Sequence, residues 1–260
     1  MGYCIYCGAR GVRLTREHVI PHAIGGHLVL REASCDTCCQ ATAEVERAVL
    51  HESLLLFRTK LDYPTRKKQG RPARASLETG RPDDPTVLDV PVADAPAVLM
   101  LPVFAWPRWW AQRVGADGTV DGFGYRIVLL GTGGVARLLR DQQLDHVRFR
   151  VKTYDYAFAR LLAKIAWGHA VLEWGRDAFE EVFVVPGILG SERDMGQWVG
   201  CPKKRVMTSG RVKLPSQPHH VGHAVLPEGW VVTSIQLFAD IDPEMPEYMV
   251  VVGRLRQPSS

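Results

Sequence analysis

Cys4-Ile5-Tyr6-Cys7 and Cys35-Asp36-Thr37-Cys38 stand twenty-seven residues apart and enclose Leu14-Thr15-Arg16-Glu17-His18-Val19-Ile20-Pro21-His22-Ala23-Ile24-Gly25-Gly26. Each C-x2-C pair can form a knuckle, a tight turn that brings two thiolates onto one face of a Zn²⁺ ion, and two knuckles complete a tetrahedron. Four sulfurs leave no open coordination position. The site is therefore expected to be structural, holding together a stretch too small to fold on its own apolar core. Five of the six cysteines fall before residue 40, and in a reducing compartment they read as metal ligands rather than disulfides. Unrelated or redox-active cysteines are the alternative, which the doubled spacing disfavours. Cys201 stands apart and reads as a small buried side chain.

The segment between the knuckles resembles the HNH endonuclease family, in the branch where an acid-His-x-x-Pro segment and a Gly-Gly loop fall between two C-x2-C pairs. The resemblance covers residues 4 to about 46. It implies a ββα-metal unit, a hairpin followed by a helix, with Mg²⁺ or another divalent cation bound between them. Glu17 would then be a metal ligand and His18 the general base. The chemistry agrees: a neutral imidazole with an ordinary pKa of about 6.5 can take a proton from water attacking a phosphodiester. A cation on hard oxygen ligands stabilises the developing charge. Neighbouring strand residues point to opposite faces, so Glu17 and His18 can serve different partners unless the strand is already bending. An isolated Glu-His pair would more simply pack or cap; the flanking knuckles, Pro21 and Gly25-Gly26 favour the functional role.

The pattern departs from the family at Cys39, where many relatives carry Asn or His on the opening turn of the helix. A thiolate suits Zn²⁺ better than Mg²⁺. Cys39 is thus open to three readings: a silent small residue, a ligand for a softer catalytic metal, or the trace of lost activity. Glu44 and Glu46 on the expected helix are possible substitutes, although Glu46 lies almost two turns beyond Cys39. His22 could touch phosphate but reads rather as a surface residue, and His27 is similarly undecided. Arg10, Arg13, Arg16 and Arg31 are candidates for phosphate contact.

Outward from this segment, Ala41 to about Lys60 has apolar residues near helical spacing and reads as a helix. Residues 58–74 hold seven basic residues and one acid and read as an exposed basic connector, with Arg66, Lys67, Lys68 and Arg71 as nucleic-acid contacts. Residues 1–74 carry 12 Lys and Arg against 7 Asp and Glu, whereas residues 75–260 carry 20 against 21. The positive excess lies entirely in the first third, which suggests a polyanionic partner there.

The remainder has another texture. Strands are expected at Val87–Val92, Val98–Val103, Arg126–Leu130, His146–Val151, Trp230–Phe238 and Tyr248–Leu255, with Pro102 confining the second to an edge. Tyr154–Trp174 is apolar around most of its circumference and reads as a central helix. Gly131-Thr132-Gly133-Gly134 reads as a hairpin turn. His219, His220 and His223 lack nearby partners for a metal site. The aromatic run Phe104–Trp110 reads as packing, with base stacking the minor alternative. The N-terminus lacks signal-peptide features and no apolar run of about eighteen residues occurs, so a cytoplasmic protein without a membrane partner is expected.

The expected fold is α+β: a zinc-stabilised ββα-metal module at 1–57, a basic connector at 58–84 and a mixed domain with a central helix at 85–260. The expected activity is metal-dependent hydrolysis of DNA, with RNA not excluded and a homodimer through the C-terminal domain possible. The rival is a catalytically silent zinc module that binds nucleic acid.

Overall fold

A computed structural model describes residues 2–65, 71–81, 83–114, 123–148, 150–202 and 218–257. Between the cysteine pairs, β1 (Leu14–His18) and β2 (Val29–Cys35) form an antiparallel hairpin with a register shift between Thr15 and Glu17. The chain passes directly from β2 into α1 (Asp36–Arg47), which completes the expected hairpin-helix order. The helix begins five residues before the apolar spacing suggests. Asp36 stands in its first turn, where a carboxylate complements the positive end of the helix dipole. Cys38 and Cys39 consequently ride on the helix rather than on a loop before it. The single helix expected as far as Lys60 is interrupted: Ala48–Ser53 widens into a π-helical turn before α2 (Leu55–Lys60) resumes.

The loop joining β1 to β2 depends on its two glycines. Gly25 closes the short 3-10 turn His22–Ile24 at φ +89°, a conformation that L side chains resist. A Cβ on Gly26 would lie 2.0 Å from the carbonyl oxygen of Ile20. No side chain fits there.

The region read as an exposed connector needs correction. Arg58 is buried, donating to the carbonyls of Ala23 at 2.6 Å and Leu50 at 2.8 Å, because the loop and the π-helical turn present oxygens that a guanidinium satisfies. β3 (Arg74–Gly80) then pairs with β4 (Pro85–Pro91). Arg66, Lys67 and Lys68 lie outside the described residues.

β5 (Ala97–Val103), α3 (Arg108–Arg113) and β6 (Gly124–Leu130) follow; β5 and β6 form a two-stranded sheet that leaves Pro102 at an edge, as expected. Gly131 does not make a hairpin turn. At φ +76° it is the N-cap of α4 (Thr132–Asp141), a helix that the three glycines concealed. Of the strand expected at His146–Val151, the described residues show one bridge between Arg148 and Glu78.

α5 (Asp155–Trp174) is the central helix, buried at thirteen positions from Phe158 to Val171. Beyond it come β7 (Phe179–Val182), α6 (Val184–Leu189), β8 (Val199–Gly200), β9 (His220–Val225), β10 (Trp230–Gln236) and β11 (Glu247–Leu255). These strands form an antiparallel sheet in the order β7-β11-β10-β9, with β8 also on β11. Among the described residues no helix is long and apolar enough to cross a membrane.

One buried cluster runs through both halves of the chain, joining Ile5, Val19 and Ile24 to Leu161, Trp167, Val231 and Val250. Donors from the C-terminal half also reach the carbonyls of Ile5, His18 and Ile24 in the N-terminal segment. Trp167 Nε1 and Arg176 Nε donate to Ile5 O at 3.2 Å each, Lys164 Nζ to His18 O at 2.6 Å, and His219 to Ile24 O at 2.6 Å. His219 Nδ1 accepts the Phe238 N–H at 3.0 Å, so Nε2 carries the hydrogen of the neutral ring. Burial, with His220 adding to it, outweighs the Ile24 carbonyl and brings the His219 pKa down to about 4. The unfolded chain binds that proton more readily, so this stability is complete above about pH 6.5 and is lost as pH falls towards the folded value. From His219 alone, unfolding free energy should fall by about 2 kcal/mol between roughly pH 7.5 and pH 5. Urea titrations of wild type and His219→Gln at the two pH values check this; an identical fall in both proteins would refute it.

Candidate functional site

The knuckles meet as the spacing requires. The sulfurs of Cys4, Cys7, Cys35 and Cys38 all lie within 4.8 Å of one another, and the Cys7 and Cys35 sulfurs are 3.7 Å apart. A Zn–S bond of about 2.3 Å gives a tetrahedral edge of about 3.8 Å, so the thiols fit a zinc-type ion. Tight backbone turns set the first pair, with Cys4 N–H donating to Ala9 O and Gly8 N–H to Cys4 O, both at 2.9 Å. Burial raises the Cys4 thiol, but amide donors of Cys35, Cys7 and Tyr6 outweigh it and bring the pKa down to about 7. A thiol of this kind gives up its proton readily to a metal.

Beside this cluster lies a cleft of about 540 Å³. Its walls are the end of β1, the exposed face of α1 and the segment from the π-helical turn through α2. Glu17 and His18 both reach it, because β1 ends at His18 and its register has shifted before Glu17. On α1, Cys39, Thr42, Ala43 and Glu46 share the lining, at the helical spacing of one face. Glu44, exposed, does not line it. His22, half buried, lines the cleft with its ring centroid 5.6 Å from that of His18. His27 is exposed and outside the cleft.

Behind the lining lies a residue that sequence reasoning missed. Lys164, only 1% exposed, projects from α5 and places Nζ 2.7 Å from Glu17 Oε1, 2.9 Å from Glu46 Oε1 and 2.6 Å from His18 O. Burial pulls its pKa down, but the two carboxylates prevail and keep it above the ordinary lysine value. The signal was present: a charge within an apolar helix must meet a partner inside the core. The phenol of Tyr6 is buried close by, and burial, then the charges of Glu17 and Glu46, hold its pKa well above the usual range.

The rim is basic. Of the four arginines singled out in the first third, Arg16 lines the cleft; Arg10 instead lies over the Tyr3 ring at 5.0 Å. Arg71 also lines it, while pairing with Asp62 and the Tyr63 carbonyl. Arg47, not expected as a contact residue, joins them; Arg58, the first of the basic stretch 58–74, also lines the cleft, but its guanidinium is buried and taken up by the carbonyls of Ala23 and Leu50. Burial, followed by the charges of Arg58 and Arg47, lowers the pKa of His51 on the same wall.

The arrangement offers hard carboxylate oxygens, an imidazole and a guanidinium-lined channel. Among the described residues, the four cysteines are the one group of three or more such donors gathered closely enough to hold an ion. Elsewhere, His169 and His223 bond to each other at 2.5 Å and His219 to backbone, so the C-terminal histidines form no metal cluster among the described residues. Trp109 packs edge-on against Trp230 at 5.0 Å, and Trp109 and Trp110 both pack on a cluster of Val232, Met249 and Val251.

Residues 4–52 match the model of the HNH endonuclease family. The match takes in both knuckles, Glu17, His18 and all of α1, and it points to a nuclease or nucleic-acid-binding function with a metal site. Comparison with curated proteins and with solved structures gave no match.

Proposed function

We propose that the chain is a divalent-metal-dependent endonuclease that cuts DNA. The observation that carries the reading is the convergence of His18, Glu17 and Glu46 in one cleft lined also by Arg16, Arg47 and Arg71, next to a structural cysteine cluster. His18 takes the proton of the attacking water as general base. Glu17, with Glu46 beside it, offers oxygens to the cation, and waters and phosphate oxygens complete a coordination shell of which such ions need only one or two protein carboxylates. When bound, the ion supplies positive charge to the phosphoryl oxygens in the transition state. Arg16 and Arg47 hold the backbone of the nucleic acid, a contact independent of sequence. DNA is preferred over RNA on the family resemblance.

Cys39 on the cleft face of α1 argues for testing softer ions as well. The second reading, a silent nucleic-acid binder, draws on the absence of a third preassembled ligand among the described residues. A supercoiled plasmid incubated with protein and, in turn, Mg²⁺, Mn²⁺, Ni²⁺, added Zn²⁺ or EDTA separates the two. Nicking that requires an added ion supports the enzyme; retarded but intact plasmid under every ion supports the binder.

A further inference from the structure

Lys164 has three N–H donors and meets three oxygens, from Glu17, Glu46 and the His18 carbonyl. These come from β1 and α1, whereas the lysine comes from α5. Two carboxylates and a carbonyl converging on one point form the kind of oxygen set that a hard divalent ion takes. Here the occupant is an ammonium of the chain itself. It carries one charge, and it is 1% exposed, too deep to touch a nucleic acid. Glu17 and Glu46 nevertheless both line the cleft, so whatever fixes them also fixes what the cleft presents to an incoming ion.

We propose that Lys164 is a positioning residue, a built-in cation that holds Glu17 and Glu46 in place in the ion-free protein and lowers the cleft's affinity for a divalent ion. The proposal rests on the reading of these carboxylates as the cation-binding side of the site. Without Lys164, the buried carboxylate of Glu17 and the partly exposed one of Glu46 would face each other and repel. With it, a divalent ion approaching the cleft meets a pair whose charge is already half neutralised, across a short distance in a poorly screened interior. The ion therefore binds weakly to the free protein and is retained when phosphate oxygens add their charge. The cleft stays formed in the meantime.

Lys164→Met keeps the stem and removes the charge; Lys164→Met with Glu46→Gln restores the balance. Mn²⁺ binding is followed by electron paramagnetic resonance on the full chain, and thermal unfolding with and without Mn²⁺ or Ca²⁺. Expected is an Mn²⁺ affinity at least about tenfold higher in Lys164→Met than in wild type, with a lowered Tm that added ions restore. Both effects should vanish in the double variant. If Lys164→Met folds only when Mn²⁺ or Ca²⁺ is supplied while the double variant folds without, the proposal is equally supported. Unchanged Mn²⁺ affinity, a gain that survives Glu46→Gln, or unfolding of both variants regardless of ions overturns it. None of these readouts needs cleavage, so an inactive wild type in the plasmid assay would count against the nuclease reading alone.

Discussion

Cys4→Ser is expected to abolish stoichiometric zinc and to unfold the protein at ordinary temperatures. A structural zinc site contributes on the order of 10–16 kcal/mol in small peptides, comparable with or above the whole stability of a typical domain, about 5–15 kcal/mol. Cys4 is fully buried and its thiol is prepared by amide donors. A serine there offers a harder, far less acidic ligand, and Cys39 is on the other knuckle and unable to replace it. The damage spreads because Ile5, next in the chain, accepts from Trp167 and Arg176 and belongs to the cluster that includes Val231 and Val250. Metal analysis and circular dichroism melts measure both consequences. A variant that keeps one zinc per chain, or melts within a degree or two of wild type, would show that the four sulfurs do not act together.

His18→Ala should leave folding and nucleic-acid affinity close to wild type while the cleavage rate drops by about 10²–10⁴, the range for a lost general base. The side chain is half buried and reaches the cleft, and it is the backbone carbonyl, retained by alanine, that serves Lys164. Substitution should thus remove a proton acceptor without breaking that contact. Arg16→Ala gives the contrast: a weaker complex whose salt dependence is shallower by about one phosphate contact. Single-turnover cleavage and titration binding on the same substrate distinguish the two. Equal loss of binding and rate in His18→Ala would assign the imidazole to holding phosphate rather than to proton transfer.

Local chemistry was readable in the chain, and remote partnership was not. The cysteine spacing announced its cluster because a knuckle is closed by residues a few positions apart, and the apolar run at 154–174 announced α5 almost to the residue. Glu46 remained doubtful, since its link to Glu17 is made by a lysine 118 positions downstream of it. β9 carries histidines and a glycine, and its strand character comes from β10 beside it. α4 begins behind glycines that normally oppose a helix, and Arg58 was read from its charge when its acceptors were set by the fold of the surrounding backbone.

The carbonyls of Ile5, His18 and Ile24, each served by a donor from far along the chain, make the N-terminal segment a poor cassette for transplantation. Grafted onto an unrelated host, it would leave those oxygens to solvent and set two acidic side chains against each other with no resident counter-ion. Recombination that preserves this fold must therefore carry those later donors with the hairpin, and the smallest transferable unit extends far beyond its most conspicuous motif.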